Sequence, residues 1–191
     1  MEDKSKRTIL LSSAYKLFTK KGINKTTIQD IVDAARVAKG TFYLYFEDKY
    51  KLQEELIIEK SEEIFNNAID ALNKKQIKKF DDQIIFVVDY VIDYINNEPA
   101  ILNFISKDLS LGIYEEKLTN IIGSKETKLY DLFLKGVKEN NLKIKNPEIT
   151  LFMIFEVVSA TCFSVITKKI DLSINEYKPY VHNIIKSMLN I

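Results

Sequence analysis

The chain has 191 residues, 46% of them hydrophobic, which is enough to build a real core and too apolar for a disordered tail. Five glycines and three prolines fall well below average usage and point away from turn-rich β folds, while a single cysteine, Cys162, and a single histidine, His182, exclude a disulfide framework and a structural zinc site. The net charge of +1 hides an asymmetry: residues 1–50 hold ten Lys and Arg against six Asp and Glu, whereas 51–191 hold 18 against 21, so a basic head sits on a mildly acidic body.

The N-terminus leads into a charged amphipathic stretch without the apolar region of a signal peptide, so the protein is expected to stay in the cytoplasm. Leu10, Ala14, Leu17 and Phe18, with Leu11 beside them, recur at helical spacing, and Gly22 suits the residue that closes such a helix. Thr26-x-x-Gln29 has capping-box spacing, with Thr27 the competing cap, and opens a short helix whose Ile28, Ile31, Val32 and Ala35 face inward. Arg36 and Val37 lead to Ala38-Lys39-Gly40-Thr41-Phe42-Tyr43-Leu44-Tyr45-Phe46, and the acids Glu47 and Asp48 start a fourth helix that runs from about residue 48 to the low 70s.

Two short helices joined by a tight turn, behind a longer helix and inside the basic head, form a helix-turn-helix. Ile28, Ile31, Val37 and Phe42 fix the angle between them, so that the second presents its N-terminal side chains to a major groove of double-stranded DNA. Lys39, Thr41, Tyr43, Tyr45 and Lys49 supply ammonium and hydroxyl groups for phosphates, and Gly40 lets the backbone come close to the duplex. The competing reading is a small helical core whose tyrosines merely cap it.

The pattern Leu10-Leu11-x-x-Ala14-x-x-Leu17-Phe18, Gly22, Thr26-Thr27-Ile28-x-Asp30-Ile31, Ala34-Ala35-x-Val37, Lys39-Gly40-Thr41-Phe42-Tyr43-x-Tyr45-Phe46 and Lys49-x-x-Leu52 closely resembles the N-terminal signature of the TetR/AcrR family of bacterial transcriptional regulators. The likeness covers about residues 8–53 and implies an Ω-shaped all-α homodimer whose DNA-binding heads are controlled by ligands held in larger bodies. It places Lys39, Gly40 and Thr41 against bases and Gln29, Tyr43, Tyr45 and Lys49 against phosphates of a palindromic site. Two positions depart from the family pattern. Arg36 stands where the turn usually has Gly, so that either the turn relaxes or Arg36 takes the strain with its guanidinium near the DNA backbone. Ala38 stands where Ser is usual, losing a cap or phosphate contact and offering a methyl group to a thymine.

Beyond the head, apolar residues over 83–97 lie on one arc, with Asp82, Asp89, Asp93 and Asn96 on the other, which makes the mid-helix aspartates solvated rather than catalytic. Pro99 opens a short helix carrying Ile101, Leu102, Phe104 and Ile105. A helix is expected over 115–140, with Gly123 a candidate kink, and breaks at 143–147 and 168–173 isolate two C-terminal helices, the second of them kinked or restarted at Pro179. The span 149–167 nears the length of a membrane helix, but Glu156 at its centre argues for burial by protein. All-round apolarity there fits the four-helix dimer interface of such families, through residues 147–190; a plain monomer core is the competing reading.

The expected architecture is all-α with about nine helices: a three-helix head over 1–49 and a ligand-binding and dimerisation body over 50–191. Phe86, Tyr90, Phe104, Phe133, Phe155 and Phe163 are candidate walls for a small apolar or aromatic effector. Glu156 is either a solvated or hydrogen-bonded acid or a carboxylate orienting a cationic or hydroxyl-bearing ligand. The fourth helix is the expected lever between body and head. No catalytic residue, metal site, cofactor or membrane is called for, and the reading is a ligand-released repressor. The alternative is a DNA-binding regulator answering to a protein partner, or an activator without a small ligand.

Overall fold

The structure, a computed structural model, describes residues 2–98, Ile101, Phe104 and residues 128–190. All regular elements among them are helices: α1 (Glu2–Lys21), α2 (Ile28–Ala35), α3 (Lys39–Tyr43), α4 (Lys49–Asn73), α5 (Phe80–Asn97), α6 (Lys128–Glu139), α7 (Pro147–Ile166) and α8 (Ile174–Leu189). The expected Gly123 kink, Leu102 and Ile105 lie outside the described residues.

Local chemistry sets the boundaries. Gly22, at φ +80°, ends α1, its N–H reaching Phe18 O at 2.9 Å. Asp48 caps α4 by accepting the N–H groups of Tyr50 and Lys51, and Asn146 caps α7 ahead of Pro147. Ser173 and Glu176 form a capping box on α8, whose helix runs unbroken through Pro179. The fifth helix starts at Phe80, three residues before the expected onset, because Asp81 and Asp82 in its first turn complement the helix dipole.

Three apolar clusters hold the molecule. One joins α1, α2 and α3 to the first half of α4 and takes in Ile101 and Phe104. A second packs α5, α6, α7 and α8 around Phe133, Ile154, Val181 and Ile185. A third lies between the far half of α4, through Ala68, Ile69 and Leu72, and Val87 and Leu129. Gly136 allows the close approach of α6 to α5, since a Cβ there would sit 2.0 Å from Phe80 Cε2.

The mid-helix aspartates of α5 are not simply solvated. Asp93 pairs with Lys178 at 2.6 Å, Asp89 with His182 Nε2 at 2.9 Å, and Asp81 approaches Lys186 at 3.8 Å, so the polar edge of α5 is stitched to α8. On α7, Cys162 faces the core among these helices, and burial, reinforced by Asp93 and opposed by Lys178, pushes its thiol up to about 11.

Candidate nucleic-acid interface

The head begins with the cap of α2. Thr27, not Thr26, is the N-cap: its hydroxyl accepts the Asp30 N–H at 3.1 Å, and the Asp30 carboxylate accepts the Thr27 N–H at 2.8 Å. Thr26 is instead buried, its hydroxyl donating to Gly22 O at 2.8 Å. Lys21 sits 2.8 Å from Asp30, and this ammonium, then the Thr27 groups, holds the Asp30 carboxyl far below its ordinary 3.8.

The turn between α2 and α3 resolves the question raised by Arg36. It adopts φ 55°, ψ 45°, so the turn does not relax and a non-glycine residue occupies the left-handed region. The Arg36 N–H reaches Asp33 O and the Val37 N–H reaches Val32 O, which closes the end of α2. Ala38 then stands at the N-cap of α3 with no side-chain cap, as its missing hydroxyl requires.

Helix α3 is anchored by Phe42, fully buried and in aromatic contact with Tyr43 at 5.5 Å and Phe46 at 5.6 Å. This turns the first residues outward together. Lys39 and Gly40 are exposed and Thr41 is half-buried, with open space around the Gly40 Cα, so a flat partner can approach the backbone. Tyr43 is 53% exposed and lies on the same short helix. Gln29 is exposed on α2, its amide nitrogen donating to Asp33 at 2.8 Å, whereas Tyr45 is half-buried against the head core.

Two features of this surface were not legible in the residue pattern. Leu44 is 79% exposed at the end of α3, an apolar side chain left in water beside Tyr43. Lys49, expected to face phosphates, turns its ammonium inward onto Ile23 O and Thr26 O, both at 2.9 Å, with the Tyr50 ring centroid 5.3 Å away.

The candidate effector residues do not gather into one wall. Phe65, Phe86, Tyr90 and Phe155 each pack against the third cluster, with Phe65 and Phe155 edge to face at 4.8 Å. Phe133 is fully buried and packs on Phe80 at 5.9 Å. Phe163 carries the Lys169 ammonium over its ring at 4.9 Å. Phe104, from the body, packs into the head core: it meets Tyr15 edge to face at 5.4 Å and stacks on Phe18 at 6.2 Å. Helical periodicity shows which residues are apolar but not which core they join, and that is why these six read as a set.

Glu156 lies next to Phe155 on α7. Its Oε1 is buried with no hydrogen-bond partner among the described residues, and burial raises its carboxyl above the ordinary 4.5. Around the same helix, Leu151, Ile154, Val158, Cys162 and Val165 face the core, while Ile149 at 55% and Met153 at 48% exposure form an apolar edge in water. Among the described residues α7 is the one helix long and apolar enough to cross a membrane, and most of its apolar stretch is not covered within the subunit. No group of three metal-ligating side chains occurs among the described residues.

Comparison with known proteins matches residues 10–56 to the family described as bacterial regulatory proteins, tetR family. The probable acrEF/envCD operon repressor of Escherichia coli strain K12 is 28% identical over 122 residues, which cover 59% of this chain and 55% of that protein. Two solved structures share the fold at low identity. RolR in complex with resorcinol has a TM-score of 0.71 at 17% identity, over 99% of this chain and 88% of that one. FadR from Bacillus subtilis in complex with stearoyl-CoA has a TM-score of 0.66 at 15% identity, over 95% of this chain and 98% of that one.

Proposed function

The chain is a DNA-binding transcriptional regulator of the TetR family and not an enzyme, and from that premise we propose that it acts in the cytoplasm as a homodimeric repressor released by a small, largely apolar effector. Its two heads, residues 1–49, take successive half-sites of a palindrome. In each, Lys39, Gly40 and Thr41 meet bases, while Gln29, Arg36, Tyr43 and Tyr45 lie along phosphates and Ala38 meets a thymine methyl.

The dimer forms through residues 147–190. Ile149, Met153, Tyr180 and Ile184 are exposed on α7 and α8, a pairing of apolar edges that one subunit leaves uncovered. An obligate interface of this kind buries on the order of 2,000 Å² or more. Ile185 is fully buried inside the subunit and Phe155 packs on Phe65, so a charge at either would damage the monomer as well. Met153→Lys is the cleaner probe. Sedimentation at micromolar concentration should show a dimer for the wild type and a folded monomer for the variant; a wild-type monomer would overturn the dimer.

The observation that carries effector control is Phe104, a residue of the body sealed between Tyr15 and Phe18 of α1. With α4 it forms a second mechanical link to the head, so a ligand beside Phe65, Phe86, Tyr90, Phe155 and Glu156 can bias the spacing of the two heads. The buried Glu156 oxygen suits an effector that brings a hydrogen-bond donor or a cation. The relatives bound to resorcinol and stearoyl-CoA lend support by analogy. A ligand acts only through its differential affinity for the two states, and about 3 kcal/mol of coupling lowers operator affinity roughly 150-fold. The test measures fluorescence anisotropy of an operator duplex selected from a random library, with resorcinol, stearoyl-CoA and a panel of lipophilic amines added in turn. Release by one class supports effector control, and unchanged affinity across all three overturns this choice of effector chemistry.

A further inference from the structure

We propose that Lys49 is a positioning residue of the DNA-binding head, holding the α1–α2 turn against the start of α4 rather than neutralising a phosphate. Its ammonium donates to Ile23 O and Thr26 O, both at 2.9 Å, across 26 and 23 residues of chain. Two of its three protons are thereby committed to the protein, which leaves at most one for a phosphate.

The turn it grips is closed from every side. The Gly22 N–H bonds to Phe18 O at 2.9 Å, the Thr26 hydroxyl to Gly22 O at 2.8 Å, and the Thr26 N–H to Ile23 O at 3.1 Å. These bonds shape the turn, Ile23 packs it against the head core, and Lys49 adds a side-chain tie to the start of α4. It is the first residue of α4, fixed there by the Asp48 cap, and Thr26 immediately precedes the Thr27 cap of α2. One ammonium therefore fixes the N-terminus of α2 relative to the N-terminus of α4, with α3 between them in sequence. Gln29 rides on α2, so its placement relative to the start of α4 is held in part by this contact. Charge-assisted bonds to two carbonyls are stronger and more directional than neutral ones, which suits a joint that has to stay rigid while a duplex is read.

The consequence is a loss of discrimination, not of electrostatic attraction. Each phosphate contact contributes about 0.9 to the slope of log affinity against log salt, so a dimer losing one per head would lose about 1.8. A positioning residue leaves the slope intact and weakens only the binding that needs correctly placed base contacts.

The experiment uses the full-length protein and two duplexes, one selected from a random library by the wild type and one with the same composition scrambled. Lys49→Met should lower affinity for the selected duplex roughly tenfold, the order of one lost base contact. Affinity for the scrambled duplex and both salt slopes should stay as in the wild type. A slope smaller by about 1.8, with equal losses on both duplexes, would establish a phosphate contact instead and overturn the proposal. Unchanged discrimination with a lowered melting temperature would make Lys49 merely structural, and would overturn it too. Should the variant fail to fold, acetylation of wild-type lysines decides. Lys49 should react more slowly than Lys39 in the free protein and gain no protection on adding the selected duplex. Reaction as fast as Lys39, followed by protection on DNA, would overturn the assignment.

Discussion

Apart from the exposed Ile9 and Leu44, the head treats apolar and polar groups in the opposite way to α7 of the body. In the head, Phe42 and Phe104 are sealed, the turn at 22–26 has its carbonyls gripped, and the polar residues at the start of α3 face outward as a group. On α7, apolar Ile149 and Met153 stand in water while a carboxylate oxygen of Glu156 is buried without a partner among the described residues. The first arrangement is complete within one subunit. The second leaves an apolar edge and a buried carboxylate oxygen unmatched among the described residues, and the proposed dimer and effector both rest on that contrast.

The comparison breaks most decisively at Phe104. If the head is complete only because the body supplies this ring, Phe104→Ala should cost about 3–5 kcal/mol, the range for deleting a buried aromatic, and lower the urea midpoint of the first cluster. A loss below about 1 kcal/mol would show a head that holds without the body and remove the second link to it. Within the body, Gly136→Ala tests whether the second cluster is packed as tightly as the first. The added Cβ meets the buried Phe80 ring, so about 1–3 kcal/mol should be lost in thermal unfolding.

A gain is expected in the head. Arg36 occupies the left-handed region, and Arg36→Gly should stabilise by about 1 kcal/mol, visible as a melting temperature higher by about 2–4 °C. The same variant should bind DNA more weakly if the guanidinium lies near the backbone. The smallest effect concerns acid. The folded-state carboxyl of Asp30 titrates far below 3.8, so its contribution is complete above that ordinary value and is lost as pH falls through the depressed one. Glu176 in the α8 capping box has the same sign. The stability difference between the wild type and Asp30→Asn should therefore be flat above about pH 5 and shrink in more acidic solution.

Features that depend on neighbours along the chain could be read from the residues. The apolar spacing of Leu10, Ala14 and Phe18, the breaks before Pro147 and after Thr167, and the cost of replacing a turn glycine by Arg36 are all local. The cap of α2 lay one residue from the first choice, because Thr26 and Thr27 both have the hydroxyl and only the fold decides which is buried. Long-range partners left no such signal. Nothing in the sequence ties Lys49 to two carbonyls more than twenty residues back, since every residue has a carbonyl. Nor does it pair Asp89 and Asp93 with side chains 93 and 85 residues away, or send Phe104 to α1 rather than to Phe133. The candidate effector residues fall among three clusters, with Phe163 in none of them, for the same reason.

Cys162 supplies an internal clock. It is the only thiol in the chain, it is buried on α7, and with its titration moved up to about 11 almost none of it is thiolate at neutral pH. Alkylating reagents attack the thiolate, so the folded body is inert to them until α7 lifts away from α5 and α8. The rate at which a single label appears then measures how often the body opens, with no residue added or replaced to follow it.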